Sequence, residues 1–150
     1  MDEKTYVEER LDNQLIWYDK KSIMCQNKYK CIKMTEFIIS GVITVLAGTL
    51  VKFECLSNYI SILLSILGVS ITIFEGYLTM GKFHENWIEY RSISETLKKE
   101  KYMYLTKTGV YEEGDAPKTS FTTLVERVES IISNENVNWA NLNSNDEGRK

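Results

Sequence analysis

Histidine occurs once in this chain, as His84, and cysteine three times, as Cys25, Cys31 and Cys55. These scarcities exclude a good deal. The cysteines form no C-x-x-C pair and no even framework, which argues against a zinc site or a disulfide scaffold and for reduced structural thiols. A lone histidine with no neighbouring ligand types reads as a packing or surface residue rather than a metal ligand. No glycine-rich phosphate loop and no Ser/His/Asp or Cys/His set can be assembled, so the chain is not expected to be an enzyme and no cofactor is implied. Strong charge of one sign is missing too. With 18 basic and 21 acidic residues the net charge is -3, too small to suggest nucleic acid as a partner. No short apolar leader core precedes Met34, so no cleaved signal peptide is expected. Proline is reduced to Pro117 alone, and nothing of that kind breaks a helix before it.

What the sequence does have is two apolar blocks in the middle of the chain. The first, Phe37 to Val51, is bracketed by Glu36 and Lys52; at about 15 residues it falls short of the roughly 20 that cross a bilayer upright. Met34, Thr35 and Phe53 can extend it, and Lys52 can carry its ammonium outward along its aliphatic stem. The second, Cys55 to Phe74, is about 20 uncharged residues and matches a full span. A soluble bundle would need the second helix to be apolar nearly all round, which a surface helix of a small bundle is not. The pattern predicts a membrane hairpin, span one over 34–53 and span two over 55–75.

Cations orient it. Lys20, Lys21, Lys28, Lys30 and Lys33 precede the first block, and Lys82, Arg91, Lys98, Lys99 and Lys101 follow the second. The turn between them has Lys52 opposed by Glu54. Positive flanks stay inside, which places both termini in the cytoplasm of a multi-pass protein of the cell inner (plasma) membrane. The Lys20 to Lys33 cluster suits contact with anionic lipid.

The flanks read as helix. Residues 5–33 hold Tyr6, Leu11, Leu15, Tyr18, Met24 and Cys25 among strong helix formers, without proline or glycine. Span two is expected to continue as a cytoplasmic helix to Leu105, with Gly76 and Gly81 allowing a bend at the membrane exit. Phe83, Trp87, Tyr90, Ser94 and Leu97 form a stripe along it for packing against another helix, and Trp17-Tyr18 is the expected partner. Arg91 and Glu95 are four apart, the spacing of an intrahelical ion pair. Turn chemistry from Thr108 to Pro117 leads to an amphipathic helix over 119–139. Its apolar face is Phe121, Leu124, Val125, Val128, Ile131 and Ile132, and its opposite face carries Glu126, Arg127 and Glu129. Trp139 closes that helix, and 141–150 is expected to be a disordered tail. The whole is a single all-α membrane domain over 1–140.

The order of residues resembles a known group. Tyr6-Val-Glu-Glu-Arg-Leu, Gln14-Leu-Ile-Trp-Tyr-Asp-Lys-Lys-Ser22, the hairpin, Trp87-Ile-Glu-Tyr-Arg-Ser-Ile-Ser-Glu-Thr-Leu-Lys-Lys-Glu100 and Phe121…Val125-Glu126…Glu135-Asn136…Trp139 are similar to the bacterial SLATT-type two-transmembrane domains, one branch of which is catalogued as a domain of unknown function. Members are proposed to be oligomeric pore-forming effectors, often encoded beside nucleotide-signalling or other defence modules. The resemblance implies a homo-oligomeric pore here, an effector in a bacterial stress or defence response. No nucleotide-binding or protease module is recognisable in the sequence, so the resemblance leaves the trigger open.

Span two carries a polar seam of its own. Asn58, Ser61, Ser65, Gly68, Thr72, Glu75, Thr79 and Lys82 alternate at spacings of three and four, the period that keeps one stripe facing one way in a helix bundle. Several copies around an axis would line a narrow wet conduit for permeant ions, with a ring of Glu75 carboxylates favouring cations. Small residues also let membrane helices approach closely, so the same seam is equally compatible with packing against span one. Span one has a small face for that purpose in Ser40, Gly41, Thr44, Ala47 and Gly48. Glu75 has a second reading as well, an ion pair with Lys82 or Lys33. The rival function to a pore is a non-conducting membrane scaffold whose cytoplasmic helices recruit a partner.

Overall fold

The computed structural model describes residues 2–49, 56–112 and 120–134. The expected outer turn at Lys52 to Glu54, the loop residues 113–119, Trp139 and the tail from Asn141 lie outside them. Every regular element among the described residues is helical. A first α turn, α1 (Glu3–Thr5), leads into a π-helical turn over Tyr6–Leu11, then α2 (Asp12–Thr49), α3 (Ser57–Gly81), α4 (Phe83–Leu105) and a 3₁₀ turn at Gly109–Tyr111. Residues 120–134 form α5. Two long helices, in α2 and α3, are apolar enough to cross a membrane, and the most apolar stretch of each contains no buried residue.

The chain divides into two compact units, Met1–Lys21 with Glu89–Lys150, and Ser22–Ile88. The first holds the core: Tyr6, Leu11, Leu15, Tyr18, Leu97, Tyr111, Leu124, Val128 and Ile132. The π turn is what admits Tyr6 to it. From Leu11 onward the buried residues recur at spacings of four and three, but Tyr6 precedes Leu11 by five. In an α-helix five residues overshoot the face by about 140°. Widening the turn by one residue brings Tyr6 back over Leu11. Ser94 is also fully buried here, and its hydroxyl has no hydrogen-bond partner.

Two carboxylates tie this unit together in the same way. Glu100, 3% exposed, accepts from Arg127 Nε and Nη2 at 2.8 and 2.6 Å and from the Tyr111 hydroxyl at 2.7 Å. Glu129 accepts from Arg10 Nε and Nη2 at 3.0 and 2.9 Å and from the Tyr6 hydroxyl at 3.0 Å. Each acid thus has a bidentate guanidinium and a phenol, which satisfies its lone pairs and fixes its angle. The polar face expected for α5 is therefore not simply solvated. Arg127 and Glu129 leave that face to reach α4 and the N-terminal turn, and helical periodicity alone carries no sign of such cross-helix partners.

The Arg127 guanidinium holds the Glu100 carboxyl below the usual glutamate range, and Arg10 does the same for Glu129. A depressed carboxylate contributes stability that is complete above its unfolded value, roughly pH 4.3, and is lost as pH falls through the folded one. Glu100→Gln is expected to cost about 2 kcal/mol at neutral pH. Thermal unfolding followed by circular dichroism should show that deficit shrinking as pH drops below about 4. A deficit independent of pH would refute the charge-based account.

Candidate functional site

In the unit Ser22–Ile88 each long helix has one apolar-rich stripe of buried or half-buried positions. On α3 they are Ile60, Leu64, Leu67, Ile71, Phe74 and Leu78; on α2 they are Ile32, Glu36, Ile39, Ile43 and Leu46. The spacing is the alternating four and three by which two helices pack stripe on stripe. The polar contacts fix their sense. Lys33 pairs with Glu75, Tyr29 stacks on His84 at 4.9 Å, Lys28 lies over Phe83 and Lys30 over Trp87. Moving back along α2 therefore moves forward along the chain beyond Glu75, and the pair is antiparallel.

With α3 rotated in this way, its other residues fall into two further faces. Counting about 100° per residue, Asn58, Ser61, Ser65, Gly68, Thr72, Glu75 and Thr79 lie roughly 110° round from the aliphatic stripe. Six of them are exposed and Gly68 is half-buried. Further round still come Tyr59, Ile62, Ile66, Val69, Ile73 and Met80, all strongly exposed, Tyr59 by 76% and Met80 by 87%. Among the described residues the polar seam is therefore distinct from the outer apolar face, and Lys33 of α2 reaches it at Glu75.

α2 repeats the arrangement. Lys33, Ser40, Thr44 and Ala47 lie about 90° round from its own stripe in the same rotational sense. In an antiparallel pair, equal rotations of one sense bring the two rows to the same side. The Lys33–Glu75 contact joins the two rows at one end. Gly41 and Gly48 sit further round, with Phe37 and Val45, and a Cβ at either would meet nothing within 4 Å.

Ser40, Gly41, Thr44 and Gly48, expected to serve close helix packing, are all exposed within the single chain.

The seam's hydroxyls have local acceptors. Ser61 donates to the Ser57 carbonyl at 2.8 Å, Ser65 to that of Ser61 at 2.9 Å and Thr72 to that of Gly68 at 3.3 Å. Thr44 does the same toward Ser40 at 2.9 Å. Bonding to the carbonyl one turn back satisfies the donor without water or a partner helix. Glu75 is not a bare carboxylate either, since Lys33 binds it and also approaches Glu36 at 3.0 Å.

The expected continuous helix from span two to Leu105 is interrupted. α3 ends at Gly81, and Lys82 turns left-handed at φ 45°, with its N–H directed to the Thr79 carbonyl at 3.4 Å. Asn86 Nδ2 reaches the Gly81 carbonyl at 3.3 Å across the break. Gly81 is confined by space: a Cβ there would run into the Phe83 ring.

The remaining singled-out residues separate. Trp17 meets Tyr90 edge-on at 5.9 Å in the first unit, whereas Trp87 meets His84 at 5.6 Å in the second. Arg91 binds Glu95 at 2.8 Å and also Asp19 at 3.3 Å. Of the cluster from Lys20 to Lys33, Lys21, Lys28 and Lys30 lie over the rings of Trp17, Phe83 and Trp87 at 5.4 to 5.7 Å, a cation–π arrangement. Among the described residues no three His, Cys, Asp or Glu side chains converge as a metal site.

These features define an all-helical protein with two helices long and apolar enough to span a membrane. The chain belongs to a protein family of unknown function, DUF4231, whose pattern it matches over residues 13–119. No curated protein and no solved structure matches it.

The junction between α3 and α4 makes a direct prediction. Lys82→Gly removes the left-handed penalty and is expected to raise stability by about 1 kcal/mol. Gly81→Ala, which must displace the Phe83 ring, should lower it by roughly 1–2 kcal/mol. Thermal melts of the two variants check both signs, and a destabilising Lys82→Gly would show that the break is not built as described.

Proposed function

We propose that this protein is an oligomeric, cation-permeable membrane pore, with the α3 seam facing the symmetry axis of a homo-oligomer and the outer faces of α2 and α3 in the hydrocarbon. The observation that carries the reading is the three-sided α3: a less exposed aliphatic stripe, a strongly exposed apolar face, and a separate polar seam that is largely exposed among the described residues. An apolar exterior of this extent calls for lipid rather than water. From Lys33 to Thr49 and from Asn58 to Glu75 the helices rise about 24–26 Å, close to a hydrocarbon core when the flanking residues snorkel.

In this reading both termini are cytoplasmic and the membrane is the cell inner membrane, following the cation distribution. Lysines from Lys20 to Lys33 contact anionic headgroups, and no nucleic acid or cofactor takes part. The resemblance to the SLATT-type group supports a pore and suggests an effector of a bacterial stress or defence response.

One observation favours a second reading, a non-conducting scaffold that recruits partner proteins. The seam hydroxyls already donate to their own backbone, so the seam can be dry and serve only for packing between copies.

Two measurements separate the readings. Purified protein in liposomes should be oligomeric and pass cations; a monomeric, electrically silent preparation overturns the pore. Cysteines at Ser61, Ser65 and Thr72, in a background without native cysteine, should react with water-soluble thiol reagents, while cysteines at Ile62, Val69 and Ile73 should not. Inert seam cysteines in an oligomer would establish the scaffold. Gly68→Leu, at a position where an added Cβ meets nothing within 4 Å, is expected to leave helix content unchanged and abolish flux.

A further inference from the structure

The ion pair that joins the two polar rows has a third member. Lys33 Nζ binds Glu75 and lies 3.0 Å from Glu36 Oε2, while Glu36 Oε1 is buried without a hydrogen-bond partner. With all three groups ionised, one ammonium stands against two carboxylates. The three are unequally placed. The Glu36 side chain is 11% exposed, that of Lys33 31% and that of Glu75 55%. Glu36 belongs to the covered stripe of α2, whereas Lys33 and Glu75 belong to the uncovered polar rows. An ion moving along the seam therefore meets Glu75 already covered by an ammonium on the same side of the helix pair.

We propose that Lys33 is the residue that sets ion preference in this protein, by holding Glu75 and cancelling most of the field that a ring of carboxylates would project. The assignment rests on the pore reading and deepens it. A free Glu75 in each copy would attract cations and repel anions, and the effect would be multiplied by the number of copies around the axis. Lys33 reduces this to a weak preference, with the second carboxylate, Glu36, retaining the ammonium in place. Glu36 is a positioning residue in this scheme, since it acts on the seam through Lys33.

The charge balance orders the variants. Lys33→Gln leaves two carboxylates with no ammonium, and cation preference rises. Glu75→Gln leaves Lys33 against Glu36 alone, and cation preference falls. Lys33→Gln combined with Glu75→Gln restores the original net charge and returns the preference toward that of the unaltered protein. Lys33→Arg keeps the pair and leaves it unchanged.

The test is the reversal potential of reconstituted full-length protein in a potassium chloride gradient, measured beside thermal stability. The potassium over chloride permeability ratio is expected to rise about threefold or more in Lys33→Gln and to fall by a similar factor in Glu75→Gln. The exchanged pair, Lys33→Glu with Glu75→Lys, preserves an ion pair and the net charge; it covers the case in which a single variant fails to fold, and its ratio should remain near the original. A merely structural clamp predicts lowered stability in both single variants with an unchanged reversal potential, and that result overturns the assignment while leaving the pore intact. No current from the unaltered protein overturns the pore reading and this assignment together.

Discussion

One constraint governs how α3 can be read: the aliphatic stripe from Ile60 to Leu78 is less exposed than the faces on either side of it, and turning it toward α2 sets the rotation of the helix about its own axis. Once that rotation is set, the position of every other side chain on α3 follows from helical geometry. Branched residues at alternating spacings of three and four resist rotation because a shift of one residue would swing the stripe by about 100° and bring a serine or glycine into the gap. The seam, the outer apolar face and the placing of Glu75 beside Lys33 are consequences of that single choice. The same stripe on α2 explains why its polar row falls on the same side.

Much of this architecture was legible in composition and period. The two apolar blocks, the helical flanks and the alternation of the seam are one-dimensional patterns, and a period translates directly into a face. Even the π turn left a trace, in the five-residue step from Tyr6 to Leu11 that breaks an otherwise regular series. What could not be read was which face of a small-residue-rich helix turns inward. Ser40, Thr44, Gly41 and Gly48 suited close packing, yet Ile39, Ile43 and Leu46 are the less exposed positions of that helix in the single chain.

Cross-helix partners were hidden for a different reason. Glu100 with Arg127 and Tyr111, and Glu129 with Arg10 and Tyr6, join residues far apart in sequence that each look unremarkable on a polar face. The left-handed Lys82 was equally silent, since lysine has no preference for that conformation. Gly81 beside it was the visible clue, but a glycine at the end of an apolar run suggests a gradual bend as readily as a helix stop.

The Lys33–Glu75 pair also bears on how such a protein enters a bilayer. A charge carried singly into the hydrocarbon costs about 2.5–3.5 kcal/mol even on the most lenient scale, and each of these residues stands at the edge of its apolar run. Inserted one after the other, α2 would carry Lys33 beside Glu36 on the same helix, and α3 would present the unmatched carboxylate of Glu75. Inserted as a preassembled hairpin, the Glu75 carboxylate meets the Lys33 ammonium at the same depth. Biogenesis in the proposed membrane setting therefore favours concerted delivery of both helices, with the first held at the translocation machinery until the second has been synthesised.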